Sequence, residues 1–83
     1  MYEDLKEKVV IITGGRRGMG KADALVLAKN GAKVVVADIS QEECQLVVDE
    51  IEKNGGEALA VKCDVTNKKE IEEMVKKTVE KFG

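Results

Sequence analysis

Gly14, Gly18 and Gly20, preceded by Thr13, fall between an apolar run and a helical pattern. Glycines so placed can hold a phosphate. Gly14 lets the backbone turn sharply off a strand, Gly18 lets a ligand approach the main chain, and Gly20 lets the next helix pack close to the strand. The free amides at the helix start then face the anion, aided by the helix dipole. Residues 13–20 are therefore expected to cradle a pyrophosphate. A bare strand-to-helix turn is the plainer alternative. Three glycines, the threonine and the strand-helix context together favour the cradle.

The same letters fit a second phosphate loop. Gly15, Gly20 and Lys21 satisfy GxxxxGK, but Ala22 stands where a magnesium-holding hydroxyl belongs, so a P-loop would lack a working part. Asp38, at the end of the next apolar run, is an acid that a dinucleotide site uses and a P-loop does not require. Lys21 then reads as a solvent-facing residue of the first helical turn. A degenerate P-loop is the lesser alternative.

Other chemistry is thinly supported. Cys44 and Cys63 have no CxxC partner and there is no histidine, so no metal site is expected. Both cysteines read as small buried hydrophobes, without a disulfide.

The elements that must position the glycine loop form three strand-helix repeats. Residues 8–13, around Val9-Val10-Ile11-Ile12, and 33–38, around Val34-Val35-Val36-Ala37, are continuous apolar runs. Such runs suit strands covered on both faces of a parallel sheet. A third, weaker strand is expected over 58–63. Ala22, Leu25, Val26 and Ala28 recur at helical spacing over 18–30, stopped by Asn30-Gly31. Ser40 with Glu43, and Asn67 with Glu70, have the spacing of capping boxes. The helices they open carry Cys44, Val47, Val48 and Ile51 on one, and Ile71, Met74, Val75, Thr78, Val79 and Phe82 on the other. The expected fold class is α/β, a Rossmann-like βαβαβα with a three-stranded parallel sheet of order 3-2-1, the first half of a doubly wound fold. The first two helices should share one face and the third should take the other.

Composition bounds the partners. The 83 residues carry a net charge of -2, with basic groups matched by acidic ones, so neither nucleic acid nor a membrane surface is an expected partner. The longest apolar run is too short to span a bilayer, and Met1-Tyr2-Glu3-Asp4 lacks the basic start of a secretory leader. A cytoplasmic location is the expectation.

The spacing Thr13-Gly14-x-x-x-Gly18-Met19-Gly20 resembles the signature of the short-chain dehydrogenase/reductase family. The likeness continues through Asn30-Gly31-Ala32, Val34-Val35-Val36-Ala37-Asp38 and Cys63-Asp64-Val65-Thr66, and so covers nearly the whole chain. The resemblance implies a dinucleotide cofactor. It places Asp38 on the adenosine ribose, where a carboxylate repels a 2′-phosphate and favours NAD over NADP. Phosphate-accepting relatives often carry arginine at the next position, which here is the uncharged Ile39. It places Asp64 against the adenine amino group, Val65 against the adenine ring, and the Met19 amide on the pyrophosphate. Arg16 and Arg17 belong to the same loop. Arg17 can meet a 2′-phosphate, lie over the ribose or adenine, or be solvated, and Arg16 can equally be a solvated loop residue. The implied cofactor set is thus Gly14, Arg16, Arg17, Gly18, Met19, Gly20, Asp38, Ile39, Asp64 and Val65, for NAD, with NADP the lesser choice.

The family's hydride transfer needs a Tyr-x-x-x-Lys pair and a serine. The lone tyrosine, Tyr2, does have Lys6 four residues on, but that pair precedes the first strand, and no Asn-Asn-Ala-Gly segment is present, so no catalytic residue is assigned and the 83 residues alone are expected to be inactive. Residues 1–83 read as the N-terminal part of a dinucleotide-binding domain, cut before a fourth strand, from an NAD-dependent oxidoreductase acting on an alcohol or carbonyl. A stand-alone nucleotide-binding module and an assembly unit with a vestigial loop are the alternatives. The uncovered edge of the first strand is expected to drive self-association.

Overall fold

Val34, Val35 and Val36 are fully buried, and the rest of the fold is arranged about them. The computed structural model describes residues 6–14 and 18–83. Its elements run β1 (Val9–Thr13), α1 (Gly18–Lys29), β2 (Lys33–Asp38), α2 (Gln41–Lys53), β3 (Glu57–Lys62) and α3 (Lys68–Phe82). The sheet is parallel in the order β1-β2-β3, with Ile11 opposite Val35 and Val35 opposite Leu59. This is the α/β class and the 3-2-1 order expected from the sequence.

Alternation along the central strand divides the core. Val34 and Val36 point to one face, where Ala24 and Ala28 of α1 and Cys44, Val47, Val48 and Ile51 of α2 meet them. Val35 and Ala37 point to the other, with Val61, Cys63 and Met74 of α3. Each buried Val or Ile contributes roughly 1.5–3 kcal/mol. With both faces of β2 covered, its run of consecutive valines is explained.

Three expectations change. β1 is not covered on both faces: Val10 and Ile12 pack on the α1 and α2 side, but Val9 and Ile11 remain 39% and 37% exposed. The cause is the placement of α3, whose core residues meet β2 and β3. The packing stripe of α1 is Ala24 and Ala28, flanked by Leu25 and Leu27, while Ala22 and Val26 face outward. On α3, Met74 and Thr78 are buried, whereas Val75 and Val79 are exposed.

The helix ends follow their sequence signals. Ser40 Oγ accepts the Glu43 N–H at 3.3 Å to start α2. α2 stops at Asn54-Gly55-Gly56, where the Gly56 N–H returns to the Ile51 carbonyl at 2.9 Å. A Cβ on Gly56 would lie 2.8 Å from Ile51 Cγ2, so this turn requires the bare backbone.

Candidate cofactor site

Parallel strands bring their carboxyl ends to one edge, and each site residue sits there because a strand delivers it. Thr13 lies opposite Ala37, and the Gly14 N–H extends that ladder by donating to the Ala37 carbonyl at 2.9 Å. Gly14 adopts φ +68, which L side chains rarely adopt. A Cβ there would be 4.0 Å from Asp38 Oδ2, an ordinary contact, so backbone conformation and not space calls for glycine. The same distance shows that the loop's first glycine and the Asp38 carboxylate are neighbours.

Asp38 closes β2. Its Oδ1 accepts the Ile39 N–H at 2.6 Å, and its carbonyl accepts the Cys63 N–H at 2.8 Å, tying the exit of β2 to that of β3. Ile39 stands 60% exposed beside it. Just past the end of β3, Asp64 Oδ1 accepts from the Thr66 N–H at 2.9 Å and from the Thr66 hydroxyl at 2.6 Å. The Thr66 hydroxyl bond first, then its backbone N–H, holds the Asp64 carboxyl below the ordinary aspartate value of 3.8. Val65, between them, is 53% exposed. Two apolar side chains, Ile39 and Val65, therefore stand exposed next to two carboxylates at the same sheet edge.

Gly18, Met19 and Gly20 form the start of α1, whose first turn holds no acidic residue to oppose an anion. Gly15, Arg16 and Arg17 lie outside the described residues, as do the Met19 side chain and Tyr2. Lys21 is not simply solvent-facing: its ammonium meets Glu50 of α2 at 3.5 Å.

Cys44 and Cys63 are free and buried. Burial first, then the negative charges of Glu70 and Asp64, push the Cys63 thiol up, so it stays protonated and unreactive beneath the site.

Sequence reasoning missed one residue. Glu70 does not close a capping box with Asn67. Asn67 Oδ1 does accept the Glu70 N–H at 3.2 Å, but Glu70 Oε1 accepts the Asp64 N–H at 3.1 Å. The Asn67 N–H is already taken by the Asp64 carbonyl at 2.9 Å. The spacing of the two residues gave the helix start correctly; the bond to Asp64 spans six positions and follows from no local rule.

Among the described residues no helix is long and apolar enough to cross a membrane. The family model for short chain dehydrogenase matches residues 8–83. Over 80 residues the chain is 47% identical to a 3-oxoacyl-[acyl-carrier-protein] reductase of Synechocystis, covering 95% of this chain and 32% of that protein. It is 42% identical over 79 residues to a 7alpha-hydroxysteroid dehydrogenase of Escherichia coli, covering 95% of this chain and 31% of that one. A crystal structure of a hydroxysteroid dehydrogenase from Escherichia coli superposes with TM-score 0.92 at 42% identity, over 95% of this chain and 33% of that chain. The chain thus spans about a third of the length of the relatives it matches.

Proposed function

This chain belongs to the short-chain dehydrogenase family, and we propose that it binds NAD through its adenosine and pyrophosphate half. The family takes nicotinamide cofactors; the observation that carries the finer reading is the Asp38 carboxylate beside Gly14, 4.0 Å from where a Cβ would stand. A ribose on that carboxylate and a pyrophosphate on the amides of Gly18, Met19 and Gly20, with Gly14 making the turn between them, belong to one extended ligand. A 2′-phosphate would meet the Asp38 charge, and the exposed Ile39 offers it no cation. Arg17 is the residue by which NADP would still be accommodated, and Arg16 stands beside it. Asp64 takes the adenine amino group and Val65 lies along the ring.

Residues 1–83 act as the N-terminal part of a dinucleotide-binding domain in an oxidoreductase that moves hydride between the nicotinamide and an alcohol or carbonyl. Support comes from the share of the relatives that the chain covers and from the place of its lone tyrosine, Tyr2, ahead of β1. The cofactor would supply the hydride; these residues bind and orient its far end. Copies of the chain self-associate through β1, which among the described residues pairs only with β2 and exposes Val9 and Ile11.

Amide resonances followed during addition of NADH test the reading. Those of Gly14, Gly20, Ile39 and Val65 should shift together, while Gly31 and Gly55 at the opposite sheet edge stay put. Shifts centred on the opposite edge would reject it.

A further inference from the structure

Asp64 is fixed at three points. Its N–H donates to Glu70 Oε1 at 3.1 Å, its carbonyl accepts the Asn67 N–H at 2.9 Å, and its carboxylate holds the Thr66 N–H and hydroxyl. The residue before it is fixed too, since Cys63 is buried and its N–H donates to the Asp38 carbonyl. Of these restraints only one comes from a long side chain on another element: Glu70, in the first turn of α3.

The direction of that bond separates helix starting from loop positioning. A side chain that serves only to start a helix takes up a donor of the helix or its cap. Asn67 already does that by accepting the Glu70 N–H. The Glu70 carboxylate instead reaches past the cap and takes a donor that precedes the helix, at the exit of β3. It fixes the peptide that aims both the Asp64 side chain and the neighbouring Val65. The Asp64 carboxylate has about four acceptor sites, of which the two Thr66 bonds use two, so acceptor capacity remains for an incoming amino group.

We propose that Glu70 is a positioning residue for recognition of the adenine base: it never touches the nucleotide, but holds Asp64 and Val65 where the base is read. This rests on the reading of Asp64 and Val65 as adenine contacts given above.

Two conservative variants separate reach from charge. Glu70→Gln keeps an acceptor oxygen at the same reach and loses the charge. Glu70→Asp keeps the charge at the helix start and is one methylene too short. The readout is the ratio of affinities for AMP and IMP, because inosine carries no 6-amino donor, with hydrogen-exchange protection of the Asp64 amide as the structural control. The parent chain should favour AMP by about tenfold, the value of one hydrogen bond to a charged acceptor. Glu70→Gln should retain both that preference and the amide protection, and Glu70→Asp should lose both. A merely structural role would weaken AMP and IMP equally and leave their ratio unchanged, which overturns the proposal. So does the reverse pattern, with Glu70→Asp selective and Glu70→Gln not, since helix-start charge would then be the cause. Equal affinity of the parent chain for AMP and IMP removes the adenine role of Asp64 itself, and the role of Glu70 falls with it; selectivity lost only in the variants leaves that reading intact.

Discussion

Two carboxylates at one sheet edge stand in different surroundings. Asp38 ends a strand, with Gly14 on one side and the exposed Ile39 on the other. Asp38→Ala removes the charge that opposes a 2′-phosphate, and the preference for NADH over NADPH should narrow by about tenfold, the scale of one lost charged contact. Calorimetric titration of both cofactors checks this; an unchanged ratio would separate Asp38 from cofactor choice. Asp64 sits in a short turn and is kept acidic by Thr66. Because its carboxyl lies below 3.8 in the folded chain, the stabilisation it lends is present above that value and is lost as pH falls through the depressed one. Thr66→Val deletes the hydroxyl bond and leaves the backbone one, so the Asp64 titration should move up towards 3.8, as carbon-13 shifts of the carboxyl would record. The glycine spacing and both acids were legible in the sequence, since motif letters and strand ends locate them. Glu70 was not, because its partner is chosen by how the β3 exit folds back over α3 and not by helical spacing.

At the scale of elements, what the sequence conveyed depended on how strongly each element separates its faces. α2 places Cys44, Val47, Val48 and Ile51 all in the core, as its pattern implied. α1 is apolar over much of its surface, so periodicity could not tell Ala24 and Ala28, which pack, from Ala22 and Val26, which do not. β1 and β2 look alike as strings of Val and Ile, yet of these two only β2 has helices on both sides. The turn after α2 gives a test at this scale. Gly56→Ala sets a methyl 2.8 Å from Ile51 Cγ2 and 3.3 Å from the Ile51 carbonyl oxygen. The clash should cost about 1–3 kcal/mol of stability, read from urea unfolding. An unchanged midpoint would mean that the turn yields freely and does not fix the spacing of α2 and β3.

For the whole molecule, a chain of 83 residues buries only about 60% of the surface its unfolded form exposes, which leaves little margin. The uncovered face and edge of β1 therefore weigh heavily. By helical spacing Val75 and Val79 fall on the flank of α3 opposite Glu70, and both add to the exposed apolar side chains of the chain, as Val9 and Ile11 do. The chain should self-associate, and Ile11→Lys should shift sedimentation towards the monomer by charging that face. A monodisperse parent monomer that unfolds cooperatively at high temperature would contradict this. The fold order and the division of helices between faces followed from the sequence because right-handed crossovers leave few choices. The bare face of β1 did not, because a run of apolar residues carries no record of which neighbours are present.

On the proposed reading, one sheet edge, from Gly14 through Asp38 to Val65, holds the adenosine half of NAD. Calorimetric titration of AMP, NADH and NADPH into the chain is the decisive test. NADH should bind more tightly than NADPH, with AMP retaining most of the NADH affinity because the adenosine half supplies the contacts. NADPH binding more tightly than NADH, or AMP failing to bind where NADH does, would contradict it.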